Sequence, residues 1–215
     1  MSKLIRMGVL VSGSGTILQS FIDAAAGNGL GAEIAVVISN RPESYALERA
    51  RLNGIPAVLV DNRDYPDRAD FERRMIDELD ARGVDFVFMA GFLRVLTPLF
   101  VERYRDRLIN AHPALLPAFG GDGFYGSKVH KAVLESGVKF SGCTAHFVTA
   151  ETYAGPIIAQ STVEVKDDDT PESLGARVLK AEHALYPEVV RLFAEGRLRI
   201  EGNRVIKVRS LKSED

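Results

Sequence analysis

Short apolar runs alternating with helical periods constrain this chain more than any other feature. Segments 9–11, 33–38, 57–60 and 86–90 are rich in Val, Ile, Leu, Phe and Ala, and 107–110 carries Leu108 and Ile109. Each is too short for a helix, and a strand that is apolar at successive positions is covered on both faces. Between them the pattern changes to helical spacing, at 18–26, 43–52, 67–82 and near 98–104. In the third of these, Phe71, Met75, Ile76 and Leu79 share one face. Strands that alternate with helices predict an α/β fold with an open, mostly parallel sheet, right-handed crossovers and helices on both faces.

Past Pro117 the character shifts. Gly120, Gly121, Gly123 and Gly126 mark a loop, and a helix is expected at 127–136. Runs 144–148 and 157–165 look like a strand pair that continues the sheet. Thr170-Pro171-Glu172-Ser173 is a helix start with Pro and an acid in the first turn, and that helix is expected to reach about residue 194 with a kink at Pro187. The end, including Arg197, Arg199 and Lys207, reads as a short basic tail. No repeat, low-complexity stretch or linker divides the 215 residues, so one compact unit is expected.

The balance of charge narrows the partners. A net charge of −2 supplies no excess positive charge for a nucleic-acid backbone, which favours a small-molecule substrate. The single cysteine, Cys143, forms no internal disulfide and excludes a thiolate-clustered zinc site, in keeping with a reducing cytoplasm. No apolar run approaches a membrane span.

Four places carry candidate chemistry. Asn110 and His112 are two apart at the end of an apolar strand, so their side chains share a face until Pro113 interrupts it. An amide that donates to a developing oxyanion and an imidazole that moves a proton suit acyl transfer, although a solvated strand end reads the same way. Ser12-Gly13-Ser14-Gly15-Thr16 lies where the first strand hands over to a helix, a place that receives anions. Leu18 stands where a dinucleotide fingerprint has its third glycine, Ile38-Ser39-Asn40 lacks a carboxylate, and no Gly-Lys-Ser/Thr follows. A single phosphate monoester remains, or a glycine turn without ligand. The segment 91–96, with Leu93, Arg94, Val95 and Leu96, is either a slot for a flat heterocycle or core with a snorkelling arginine. Glu182 on the last helix is either a holder of a substrate amine or part of a solvated face, and His146 within its strand is by default structural.

Taken together, six ordered blocks resemble the family of folate-dependent phosphoribosylglycinamide formyltransferases of purine synthesis. They are Ser12-Gly13-Ser14-Gly15-Thr16-Ile17-Leu18-Gln19, Ser39-Asn40-Arg41, Met89-Ala90-Gly91-Phe92-Leu93-Arg94-Val95-Leu96, Asn110-Ala111-His112-Pro113-Ala114-Leu115-Leu116-Pro117, Gly142-Cys143-Thr144-Ala145-His146-Phe147-Val148 and Glu182-His183-Ala184-Leu185-Tyr186-Pro187. The resemblance implies a Rossmann-like sheet and a single formyltransferase domain over 1–215, with a phosphate-binding half at about 1–110 and a folate and catalytic half at about 111–200. It implies that Gly15, Thr16, Ile17, Leu18 and Gln19 bind the ribonucleotide phosphate and that Glu182 meets the glycinamide end. Arg68, Leu93, Arg94, Val95 and Leu96 are implied as the 10-formyltetrahydrofolate site, under a loop near 147–155. Asn110 and protonated His112 are implied as the pair that stabilises the oxyanion and passes a proton to the leaving folate nitrogen, with no metal. A cytoplasmic enzyme acting on glycinamide ribonucleotide and folate follows, with no nucleic acid or membrane as partner and a homodimer allowed.

Two positions depart from the family pattern. Where the family carries an aspartate before Gly-Pro, whose charge favours the imidazolium, this chain has Tyr153. A neutral phenol supplies no such Coulombic attraction. Unless Glu151, two positions earlier, takes that part, His112 is expected to be less protonated near neutral pH and turnover lower by about 10²-fold or more. A weakly active or silent folate- or nucleotide-binding paralogue therefore stands as an alternative, as does a formyltetrahydrofolate hydrolase, although the hydrolases carry an additional regulatory domain for which residues 1–6 are expected to leave no room. The second departure is Ile17, in place of an asparagine, which shifts phosphate binding toward backbone N–H groups, Ser14 and Thr16.

Overall fold

The computed structural model describes residues 4–121, 123–150 and 155–209. One nine-stranded sheet runs through them. Its strands are β1 (Ile5–Val11), β2 (Ala32–Ser39), β3 (Ala57–Leu59), β4 (Phe86–Met89), β5 (Leu108–His112), β6 (Phe140–Phe147), β7 (Ile157–Glu164), β8 (Leu198–Glu201) and β9 (Arg204–Lys207), in the order β3-β2-β1-β4-β5-β6-β7-β9-β8. The first five pair in parallel, while β6 is antiparallel to both β5 and β7.

The period of two along each strand divides the core between the sheet's faces. Met7, Val9 and Val11 of β1 and Phe86 and Phe88 of β4 face one cluster, whereas Leu10, Val87 and Met89 face the other. The first cluster is closed by α1 (Thr16–Ala26), α5 (Ser127–Ser136) and α6 (Pro171–Ala194), with Ala46 and Ala50 of α2 (Tyr45–Leu52). The second is closed by α3 (Arg68–Asp80), through Phe71, Met75 and Leu79, and by α4 (Pro98–Arg103), through Phe100 and Val101. Ile76, expected on the α3 apolar face, packs against that cluster from its edge. Glu72 on the same helix is buried because its carboxylate accepts from the backbone N–H and hydroxyl of Thr97, at the start of α4.

Helices and strands lie where the periodicity placed them, with ends shifted by a few residues. The basic tail is a correction: residues 198–207 form the hairpin β8–β9, which joins the sheet through a parallel contact of Ile157 with Arg204. Its apolar residues Leu198, Ile200 and Val205 pack against the first cluster, while Arg199 pairs outward with Glu201. The turn at Gly202 takes φ +59°, the left-handed conformation a tight hairpin needs.

The order 3-2-1-4-5 creates a reversal between β1 and β4, the place where open α/β sheets receive ligands at their carboxyl edge. Gly15 shapes that edge. It caps α1 at φ +73°, and a Cβ there would stand 2.6 Å from the Cβ of Ala46, so the tight passage of the loop over α2 admits only glycine.

Candidate active site

Three loops meet above the carboxyl edge and are tied together by Ser12. Its hydroxyl donates to Asn40 Oδ1 at 2.6 Å and accepts from the Leu93 N–H at 2.8 Å, while its backbone N–H donates to the Gly91 carbonyl at 3.1 Å. Arg49 from α2 donates through Nε to the Ser14 carbonyl and through Nη1 to Gln19 Oε1. The turn after β1 is thus held rigidly against the turns after β2 and β4. Beside it opens a cleft of about 630 Å³, walled by residues 91–96, the end of β5, residues 123–127, the end of β6 and one row of α6.

Asn110 and His112 both open on this cleft, as the two-residue spacing requires. The antiparallel register sets Asn110 opposite His146. His146 Nδ1 donates to the Phe147 carbonyl at 2.9 Å, which makes its Nε2 an acceptor, and Asn110 Nδ2 donates to that nitrogen at 3.1 Å. The orientation of the carboxamide is thereby set: one amide hydrogen is spent on His146, and the other remains for the cleft. Burial, far more than any neighbouring charge, pushes the His146 pKa down to about 4, so the imidazole stays the neutral acceptor this arrangement needs.

His112 is 2 % exposed, and its Nε2 donates to the Phe119 carbonyl at 2.9 Å. Burial lowers its pKa from the ordinary 6.5, and the hydrogen bond to Phe119 opposes that only in part. Burial thus disfavours the imidazolium form of His112. Across the cleft, Glu182 is buried on α6 and accepts from the Tyr186 hydroxyl at 3.1 Å. Removal from water raises its pKa to about 7 against the pull of that hydrogen bond, leaving the carboxyl poised between its two forms.

This elevation has a consequence for stability. A carboxyl titrating near 4.5 when unfolded and near 7 when folded binds its proton more tightly in the native state. Stability therefore falls as pH rises through that window, by on the order of 3 kcal/mol in total. Glu182→Gln removes the effect. The variant is expected to gain on the parent, by a few kcal/mol, as denaturant unfolding is repeated from about pH 5 to about pH 8; a gap that does not change with pH contradicts the elevated value.

Other positions singled out from sequence fall unevenly. Leu93, Arg94, Val95 and Leu96 line the cleft together with Ile17. The buried Nε of Arg94 has no partner among the described residues. Thr16, Ile17 and Leu18 form the first turn of α1, where backbone N–H groups have no helical acceptor. The side chain of Leu18 is core, however, and the Gln19 N–H is spent on the Gly15 carbonyl while its side chain is held by Arg49 and Asp23. Arg68 is exposed at the start of α3 and is not among the residues that line the cleft. Tyr153 and Glu151 lie outside the described residues. His146 acts on Asn110 through a cross-strand contact that becomes visible only once the β5–β6 register is known. His130 of α5, buried in the cleft wall against Gly175, carried no signal in the sequence at all. Among the described residues no group of three or more His, Cys, Asp or Glu is placed to hold a metal, and no helix is long and apolar enough to cross a membrane.

The comparisons agree with this architecture. The family profile described as Formyl transferase matches residues 5–190. The phosphoribosylglycinamide formyltransferase of Escherichia coli (strain K12) is 40% identical over 91% of this chain and 90% of its own length, and the chloroplastic phosphoribosylglycinamide formyltransferase of Arabidopsis thaliana is 39% identical over 98% and 72%. The crystal structure of glycinamide ribonucleotide transformylase 1 from Symbiobacterium toebii superposes with a TM-score of 0.91 at 46% identity, covering 96% of this chain and 95% of that one. A formyltetrahydrofolate deformylase from Pseudomonas syringae, 24% identical with a TM-score of 0.88, shares the fold. The chain belongs to the formyl transferase family, alongside the phosphoribosylglycinamide formyltransferases.

Proposed function

We propose that this protein transfers a formyl group from 10-formyltetrahydrofolate to the amine of 5′-phosphoribosylglycinamide, a step of purine biosynthesis, as a cytoplasmic enzyme acting on small molecules. The observation that carries the reading is that Asn110, His112 and Glu182 open on one cleft whose other wall is the apolar segment 91–96. That wall fits a flat folate ring, and the orphaned Nε of Arg94 offers a donor to it. The folate supplies the formyl carbon; the rest of the chemistry belongs to side chains of the protein.

Glu182 orients the incoming amine by accepting from its N–H. As the new C–N bond forms, the carbonyl electron pair moves onto oxygen, and the second N–H of Asn110 is held ready to meet that charge. His112, neutral at the start, takes the proton the amine loses and returns it to the nitrogen that departs as the old C–N bond breaks. Asn110 keeps one geometry throughout, because His146 prevents the carboxamide from turning.

A spectrophotometric assay tests the reading. Appearance of deformylated folate only when the ribonucleotide is present is the expected result. Product formed without the ribonucleotide establishes hydrolysis instead, and thermal stabilisation by both ligands without product establishes a binding protein. Tyr153→Asp belongs in the same assay. Burial disfavours the imidazolium that forms when His112 takes the amine's proton, so a carboxylate at this position, where the family carries one, is expected to raise turnover at neutral pH, by up to about 10²-fold. An unchanged or lower rate shows that another group already supplies that charge.

A further inference from the structure

Most arginines outside the cleft spend their charge on carboxylates: Arg6 on Glu33, Arg63 on Asp61, Arg103 on Asp80, Arg177 on Asp169 and Arg191 on Glu195. At the rim beside the turn of residues 12–16 the pattern breaks. Arg41, which follows β2 directly and whose backbone N–H is anchored by the Ser39 hydroxyl, makes no ion pair among the described residues. Lys128, in the first turn of α5, places its ammonium 2.9 Å from the Tyr125 hydroxyl and 4.5 Å from the centre of that ring, and makes no ion pair among the described residues. Tyr125 is exposed and lines the cleft beside Gly126 and Ser127, facing the same cavity as Ile17. Ser44 joins Arg41 to the turn, its N–H donating to the Arg41 carbonyl at 3.2 Å and its hydroxyl to the Gly13 carbonyl at 2.8 Å; the Lys128 ammonium foremost, and the Arg41 guanidinium after it, lower the Tyr125 pKa from its ordinary value. Ile17 meanwhile turns an apolar side chain into the cleft, and α1 has no side-chain cap. Its first turn therefore offers a dianion backbone N–H groups and the Ser14 and Thr16 hydroxyls, but no positive side chain of its own.

We propose that Arg41, Lys128 and the Tyr125 hydroxyl form a clasp that holds the phosphate monoester of the substrate against the turn of residues 12–16; the proposal rests on the formyl-transfer reading for the identity of that substrate. A phosphate monoester carries about −1.5 to −2 charges at pH 7, and two cations with a hydroxyl between them match both its charge and its three acceptor oxygens. The guanidinium supplies paired donors, the ammonium a point charge, and the phenol a single donor once Lys128 moves from it to the phosphate. Arg49 remains behind the turn, occupied with Ser14 and Gln19, and keeps its shape. The clasp joins two segments far apart in sequence, the turn after β2 and the approach to α5.

Ribose 5-phosphate separates the clasp from the chemistry. Titrated calorimetrically into the full-length protein, it is expected to bind about 10-fold more weakly to Arg41→Gln or Lys128→Gln, and about 100-fold more weakly to the double variant. Lys131→Gln, on the same helix but paired with Glu135 and exposed, is expected to bind as the parent does. Both clasp cations are at the surface, and unchanged melting temperatures establish that the variants fold. A double variant with parental affinity overturns the clasp, as does a parent that does not bind ribose 5-phosphate at millimolar concentration. The two readings fail separately. Formyl transfer with an unchanged ribonucleotide KM in the double variant removes the clasp and keeps the function, whereas clasp-dependent binding of ribose 5-phosphate in a parent that transfers nothing removes the function and keeps the clasp.

Discussion

His112→Ala abolishes formyl transfer while glycinamide ribonucleotide still binds. The expected loss in kcat is about 10²- to 10⁴-fold, the range for removing a positioned proton carrier. Binding is expected to survive because the phosphate and amine contacts proposed above lie elsewhere, at the turn of residues 12–16 and at Glu182. The fold also tolerates the change. The imidazole is buried, but one of its contacts, the hydrogen bond to the Phe119 carbonyl, is to a loop, and the β5–β6 ladder on either side is made by backbone groups. Single-turnover kinetics beside calorimetry make the measurement, and parental rates in the variant show that a different group moves the proton. The pH profile of the parent adds an independent check. Since burial lowers the His112 pKa, kcat is expected to persist below pH 6.5 and to fall only as acid protonates the ring at a lower value. An acid limb in kcat well above 6.5 contradicts the lowered value.

Asn110→Ala is expected to lower kcat by about 10²- to 10³-fold with little change in KM for either substrate, as when one donor to a developing oxyanion is removed. The split matters. An amide that merely bound the ground state would raise KM and leave kcat alone. His146→Ala provides the graded companion: the carboxamide keeps its chemistry but loses the acceptor that aims it, so a smaller fall in kcat is expected, of about 10-fold. Should Asn110→Ala change KM and not kcat, the oxyanion assignment is wrong; should His146→Ala match the parent, the cross-strand contact does not position the amide.

Much of the fold was readable without coordinates because it depends on local periodicity. Runs such as 33–38 and 86–90 are apolar at successive positions only if both faces are covered, and the helical stripe of Phe71, Met75 and Leu79 supplies one of the covers. The terminal hairpin was missed for the opposite reason. Residues 198–201 alternate apolar and charged side chains and 204–207 set Val205 and Ile206 between Arg204 and Lys207, each too briefly for a period to stand out, and the hairpin is stabilised by packing against the first core cluster, which the sequence does not display. Leu18 and Gln19 show how a motif can be located correctly and read too broadly. The turn lies at the carboxyl edge of β1, yet helical geometry sends the Leu18 side chain into the core and commits the Gln19 N–H to the helix.

What the sequence alone determined is the menu of groups at the sheet's carboxyl edge: an amide and an imidazole two residues apart on a strand that proline ends, a glycine turn entering a helix, an apolar segment with one arginine, and a carboxyl on the last helix. These follow from spacing within a single element. Tertiary structure decided what each group is able to do. The antiparallel register of β5 with β6 turned His146 into the acceptor that orients Asn110, and burial raised Glu182 to a pKa of about 7 against the pull of the Tyr186 hydroxyl. Burial likewise lowered the His112 pKa. Hydrogen-bond direction and protonation depend on which distant segments exclude water from a side chain, and spacing along the chain carries no record of that.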